Sequence, residues 1–278
     1  MNKKLKKFLT DPINIIIIAI LLIFIVLAVF APLVAPFNPD KLDMRNRFAT
    51  PSAEHWLGTD EVGRDIFSRI VFGARISLTI GLLATGIALA IGGTLGIIAG
   101  YFSKLDNLIM RFVDIILAIP TILVAIAVVG ALGPGVYNLM IAIGLSMVPT
   151  FARIARSTVL PLKNIEYVDA ARSLGASNLY ILVRSITPNI LGPIVVYGTL
   201  TLGSAILSAA ILNFLGIGLD PVTPEWGAMA SAGRNYLRQA PHVTFIPSLA
   251  IFLVVLCFNQ LGDRLRDYLD PRKTLSST

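Results

Sequence analysis

Long apolar runs alternate with short polar ones along this chain. Ile13 to about Val34 is almost wholly apolar; Ile76 to Gly100 follows, then about 112–131, 137–155, 190–212 and 244–261. Each is close to or above the ~20 helical residues that cross ~30 Å of hydrocarbon. The pattern predicts an all-α, polytopic membrane protein with six transmembrane helices. The first run ends at Ala35-Pro36 without a small-x-small cleavage site, so it reads as a membrane helix and not a removable signal.

The polar segments divide by character. Residues 36–75 begin irregularly, rich in Pro, Asn and Asp, and then turn amphipathic. Val62, Ile66, Ile70 and Val71 share one face over 61–75, which predicts an interfacial helix at the outer membrane boundary. Residues 213–243 form a second, Gly- and Pro-rich outer loop. Pro120 and Pro149 are expected to kink their helices. Ala84, Ala88, Gly92, Gly96 and Gly100 recur every four residues, a smooth stripe on which another helix can pack closely. Asp114 lies near the start of the third run with Arg111 within reach, a structural pairing at a helix N-terminus.

One polar stretch carries helical periodicity of its own, Asn164 to Pro188. Asn164 suits an N-cap, Glu166 suits a first turn, and Gly175 suits the left-handed position that ends a helix. Glu166, Asp169 and Arg172 share one arc; Tyr167, Val168, Ala170, Ala171 and Leu174 fill the other. After Gly175, Ser177 can cap a second helix whose Leu179, Leu182, Val183 and Ile186 form an apolar face, ended by Pro188. Helices this short are unstable alone in water, so both must pack on something. The first has small residues beside charges, as a helix seated in a partner's groove requires. From the residues alone, docking and simple contact with lipid stand equal.

Composition fits a membrane protein: 55% hydrophobic, 14% charged and a mean hydropathy of +0.79, against about 25% charged in soluble domains. The net charge of +7 is therefore read as loop decoration and not as a nucleic-acid footprint. With the N-terminus inside, 15 of the 23 Lys and Arg fall on inner segments and 8 on outer loops. That bias, led by Lys3, Lys4, Lys6, Lys7 and the tail with Arg272 and Lys273, predicts cytoplasmic N- and C-termini in a plasma or inner membrane. The stretch at 164–188 then faces the cytoplasm. Cys257 is single and apolar in setting, and His55 and His242 lie far apart, so no metal site is predicted. No Gly-x-x-x-x-Gly-Lys-Ser/Thr and no nucleophile–base pairing occurs, so no enzyme is predicted. A stand-alone secondary transporter or channel would call for mid-span ionisable residues, which are absent.

Asp169-Ala170-Ala171-x-x-x-Gly175, followed by Ile186 and Pro188, resembles the EAA motif of permease subunits of binding-protein-dependent ABC importers. Asp169 stands where that motif has Glu, and Thr187 where Leu usually precedes the Pro. His55 to Asp60, Gly63-Arg64-Asp65, Gly73-Ala74-Arg75, Asp114 to Pro120 and Glu225-Trp226-Gly227 are similar to the peptide and nickel permease branch. The similarity runs from about residue 10 to 272. It implies a cytoplasmic N-terminus and first span over 1–35, an outer loop over 36–75, and a five-helix permease core over 76–262. That core contains the coupling loop 157–189, and a cytoplasmic tail covers 263–278. It further implies a second, related permease subunit, two ATPase subunits that hold the ATP and Mg, an extracytoplasmic binding protein, surrounding lipid, and a dipeptide or oligopeptide as cargo, with a nickel chelate as the alternative. Glu166, Tyr167, Asp169, Ala170, Ala171, Leu174 and Gly175 would contact an ATPase, with Leu179, Leu182, Val183, Ile186 and Pro188 as support.

Overall fold

The computed structural model describes Phe8, residues 10–220 and residues 222–269. The terminal lysine cluster and the basic pair Arg272 and Lys273 lie outside them. Among the described residues the regular structure is helical, with one isolated antiparallel bridge between Thr59 and Asp65. The chain is all-α and polytopic, as its periodicity predicts.

Helix α1 (Pro12–Val29) starts at Asp11, whose carboxylate accepts from the amides of Ile13 and Asn14. Helix α2 runs Ile66–Tyr101, capped by Asp65 on the amide of Ser68. This departs from the expected division into an interfacial helix over 61–75 and a span from 76. Ile66, Ile70, Val71 and Ala74 are buried, and Ile66, Ile70 and Ala74 pack with α1 and the last helix. The amphipathic face therefore meets protein. At 1.5 Å per residue, 36 residues reach about 54 Å, so α2 projects well past the hydrocarbon.

The third apolar run breaks instead of kinking. Helices α3 (Ser103–Leu117) and α4 (Thr121–Leu132) meet at 90°. Pro120 has ψ 129°, and a proline pushes the residue before it out of the helical region and supplies no amide hydrogen. Helix α5 (Val136–Leu162) then runs unbroken through Pro149, after a turn in which Gly133 and Gly135 have φ of 84° and 143°. A short helix α6 (Glu166–Ser173) leads into α7 (Asn178–Phe214). Pro188 does not end a separate helix as expected. A π-turn over Ile181–Ile186 precedes it, and that wide turn accommodates a ring that lacks a donor. Helix α8 (Trp226–Gly233) and the long α9 (Pro241–Leu269) complete the chain.

Five helices are long and apolar enough to cross a membrane, and the bent α3–α4 pair can supply a sixth crossing. The ends of the chain bear on that count. Arg264 of α9 lies 3.2 Å from Asp11 at the start of α1, and the rings of Phe8 and Tyr268 are 5.5 Å apart. Among the described residues the start of α1 and the end of α9 thus lie at the same end of the bundle, which matches an even number of crossings with the bent pair as one.

The small-residue stripe meets α5. Ala84 and Ala88 are fully buried. A Cβ on Gly92 would stand 2.4 Å from the Val148 carbonyl oxygen, on Gly96 2.2 Å from that of Ala152, and on Gly100 2.8 Å from Val159 Cβ. Residues four apart drift roughly 40° per step around a helix of 3.6 residues per turn. A π-turn at Leu89–Gly93 turns less per residue and gives part of that drift back, which keeps the glycines on α5. Gly96→Val is expected to lower the melting temperature of the purified chain, or to abolish its accumulation, because overpacking costs about 1–3 kcal/mol. Gly86→Val, where an added Cβ meets nothing within 4 Å, should leave melting almost unchanged.

Candidate functional site

The end of the bundle where α1 starts and α9 finishes also carries α6. Tyr101, closing α2, donates to Asn178 at the start of α7 (2.8 Å), and Gly192 of α7 approaches Leu269. Helix α6 follows α5 after three residues, Lys163 to Ile165. Its N-cap is Ile165, one residue later than expected, with no side-chain cap. The amides of Val168 and Asp169 bond the Ile165 carbonyl instead.

The C-terminal end is closed by a paired hydrogen-bond motif. Ala176 N bonds Ala171 O and Gly175 N bonds Arg172 O, both at 3.0 Å, the 6→1 and 5→2 bonds that terminate a helix. Gly175 has φ +84°, and an added Cβ would meet nothing within 4 Å. Backbone conformation, not space, demands glycine there.

The helix is anchored through Val168, 0% exposed, with Ala171 half-buried behind it. They pack among Val159, Leu162, Ile181 and Ile186. Tyr167 is tied sideways: its hydroxyl donates to Ser185 O (3.4 Å) and accepts from Asn189 Nδ2 (3.2 Å). Glu166, Asp169, Ala170 and Arg172 face outward, with Asp169 paired to Arg172 at 2.8 Å. Leu174 is 89% exposed. Val168, the residue that seats the helix, has no place in the predicted contact set. Its spacing to Ala171 (i, i+3) is the signal that marks it.

The supporting face differs from the predicted one. Leu179 and Val183 are 71% and 61% exposed, whereas Ile181, Ile186 and Ile190 are fully buried. Leu182 is half-buried and Pro188 exposed. The predicted face assumed 3.6 residues per turn, and the π-turn at 181–186 turns the helix less per residue, bringing Ile181 and Ile186 to the same side. Asp114 also has another partner than predicted. It accepts from Arg153 of α5 at 2.6 Å, and no ion pair joins it to Arg111 among the described residues.

The opposite end is closed by a cap that the periodicity did not reveal. Arg64 donates to Asp60 (2.6 Å) and Glu61 (3.1 Å). Arg69 donates to the carbonyls of Pro39 and Val222 and stands 3.7 Å from Asp60. His55 pairs with Asp65 at 2.9 Å, and His242 Nε2 stands 3.3 Å from Thr59 O. Two of the basic residues counted on the outer loops are thus neutralised inside the protein. At the centre lies Glu225, fully buried. It accepts from Ser77 (2.9 Å), Asn213 (2.7 Å) and the amide of Ala228 (2.8 Å). It thereby joins α2, the end of α7 and the start of α8. Trp226 beside it donates to Ile70 O at 3.0 Å. Burial pushes the Glu225 carboxyl above the usual carboxylate range, and its hydrogen bonds pull the other way without cancelling that.

Two open cavities flank α7. One, of about 540 Å³, is lined by Leu207, Ile211, Phe214, Phe252 and Leu256 among others. The other, of about 470 Å³ at the α6 end, includes Ile154, Pro193, Tyr197 and Arg266. Neither has a carboxylate in its lining.

A helical bundle of membrane-spanning length with a short, anchored helix at one end is the architecture of a membrane transport subunit. The chain belongs to the family of binding-protein-dependent transport system inner membrane components, whose model matches residues 92–275. Residues 4–51 match the N-terminal transmembrane domain of oligopeptide transport permease C. The chain is 48% identical over 271 residues to the dipeptide transport system permease protein DppC of Alkalihalophilus pseudofirmus, covering 97% of this chain and 88% of that one. It is 44% identical over 269 residues to the glutathione transport system permease protein GsiD of Pectobacterium atrosepticum, covering 96% and 89%. A chain from an inward-facing structure of the MetNI methionine ABC transporter superposes with a TM-score of 0.58 at 19% identity, over 73% of this chain and 97% of that one. That likeness concerns the fold.

Glu225 gives a pH test, since its loop lies outside the spans. A carboxyl whose folded pKa is raised contributes stability that is complete below its ordinary value of 4.5 and is lost as pH rises through the folded value. Glutamine carries no such titration. The melting temperature of the purified protein should therefore fall relative to Glu225→Gln as pH is raised from 4.5 towards 8. A pH-independent difference would show that Glu225 does not titrate there.

Proposed function

We propose that this chain is one of two membrane subunits of an ATP-driven importer of dipeptides or oligopeptides, and that α6 seats it on an ATPase. The observation that carries the reading is α6 itself. It is closed at Gly175, anchored by Val168 and tied by Tyr167, yet it presents Glu166, Asp169, Ala170 and Leu174 outward. A helix held this firmly on one face and left open on the other suits a partner's groove. The peptide and glutathione permeases it resembles support the cargo class.

In this reading α6, the chain ends and the 164–188 stretch face the cytoplasm, in keeping with the bias of Lys and Arg. A second, related permease completes the path, and an extracytoplasmic binding protein delivers substrate to the opposite end. Two ATPase subunits bind ATP and Mg; this chain has no phosphate-binding Gly-x-x-x-x-Gly-Lys-Ser/Thr sequence of its own. Closure of the ATPases displaces α6. The short link to α5 passes that displacement into the bundle, where the glycine contacts between α2 and α5 let helices move as closely fitted bodies. Alternating access follows from rocking the two permeases against each other.

Gly175 offers the test in a reconstituted complex. A β-branched residue at φ +84° costs at least about 1–2 kcal/mol, whereas Asn tolerates that conformation. Gly175→Val is expected to reduce ATPase co-purification and uptake of labelled dipeptide at least tenfold, and Gly175→Asn to retain most of both. Full assembly and uptake with Gly175→Val would defeat the docking reading. Competition of labelled dipeptide by glutathione, longer peptides or a nickel chelate would define the cargo.

A further inference from the structure

Helix α3 is fastened to α5 by charge. Asp106, in its first turn, receives both Nε and Nη2 of Arg156, at 2.5 and 2.7 Å. Asp114, two turns on, receives Nη2 of Arg153 at 2.6 Å. The field of Lys163, at the C-cap of α5, also reaches Asp106, and that of Asp114 reaches Arg156. The two carboxylates stand about 12 Å apart along their helix and the two arginines about 4.5 Å along theirs, at 1.5 Å per residue. The arginine side chains span the difference, so the two pairs tie two turns of α3 to one turn of α5.

Apart from its junction with the end of α2, little else holds α3 there. Val113 is its one buried residue, while Leu108, Phe112 and Ile115 are exposed. The 90° break after Leu117 turns α4 away from the direction of α3. In a membrane, apolar side chains gain nothing by choosing protein over lipid tails, so directional polar contacts decide which helix lies where. Arg153 and Arg156 sit on one face of α5, at i and i+3. From Arg156 the chain reaches Glu166 of α6 in ten residues.

We propose that Asp106–Arg156 and Asp114–Arg153 are positioning pairs for transport: they hold α3 to the helix that α6 moves, while α4 packs on that helix directly through Ala125 and Val129. The proposal rests on the reading of α6 as the ATPase contact. Movement entering at α6 passes along α5 and reaches α3 through these two pairs. The Asp114–Arg153 pair is exposed and the two-pronged Asp106–Arg156 pair partly buried, and ion pairs of this kind depend on geometry. They can re-form at a new register, which a packed apolar contact would resist. The four side chains act through the helices they join and need not touch cargo.

The test uses the assembled importer in proteoliposomes, with dipeptide uptake and ATP hydrolysis measured together. Asp106→Arg and Arg156→Asp are each expected to lower the peptide-per-ATP ratio at least fivefold, with assembled complex retained. The doubly reversed protein should recover at least half of the parent ratio. Asp114→Asn and Arg153→Gln, which change charge with little change of shape, should each lower it severalfold. A merely structural pair would move complex yield and melting temperature and leave that ratio alone. The proposal is overturned if the single reversals keep the ratio within twofold of the parent, if they act only by lowering assembly, or if the double reversal recovers nothing. Gly175→Val run in parallel separates the two readings. If it releases the ATPase while the charge variants leave the ratio intact, the positioning pairs alone are refuted. If it leaves the ATPase bound, both fail.

Discussion

The bundle depends on the contact between α2 and α5. Lipid gives helices no hydrophobic reason to associate, so close backbone approach must supply the attraction through dispersion and fit. Gly92, Gly96 and Gly100 bring the α2 backbone against Val148, Ala152 and Val159, where even one methyl group would collide. Gly144 of α5 answers from the other side, approaching the carbonyl of Ala84. Helix α5 is thereby fixed as a rod through the centre. Helix α6 follows it after only three residues, so the position of α6 depends on that contact.

The two ends of the molecule use polar groups differently. The cap buries its charges in saturated clusters: Arg64 with Asp60 and Glu61, His55 with Asp65, and Glu225 among Ser77, Asn213 and the amide of Ala228. Breaking such a buried set leaves an uncompensated group, so it behaves as a fixed plug. At the α6 end the ion pairs are open to solvent, Asp169 with Arg172 and Asp114 with Arg153. Exposed pairs constrain geometry while costing little to exchange. A buried, saturated cap at one end and solvent-open pairs at the other set the two ends of the bundle apart.

Local sequence made much of this legible. Apolar runs marked the spans, four-residue spacing marked the α2 stripe, and Gly175 marked the end of α6, because each reflects a property that one helix has by itself. The EAA-like order of Asp169, Ala170, Ala171 and Gly175 added the class of partner. What failed did so where a neighbour or a change of helical pitch intervened. Ile66 to Ala74 looked like a face for lipid and is covered by α1 and α9. Leu179 and Val183 looked buried at 3.6 residues per turn, and the π-turn brings Ile181 and Ile186 inward instead.

The sequence by itself determined that this chain is a helical membrane protein, where its small-residue seam lies and where α6 ends. Hydrophobic period and backbone preference are short-range and are written into consecutive residues. Only the tertiary structure decided the pairings: Asp114 with Arg153 and not Arg111, Glu225 with Ser77, Val168 with Val159 and Ile181. Each joins groups on different helices, and their meeting depends on crossing geometry that no single segment encodes.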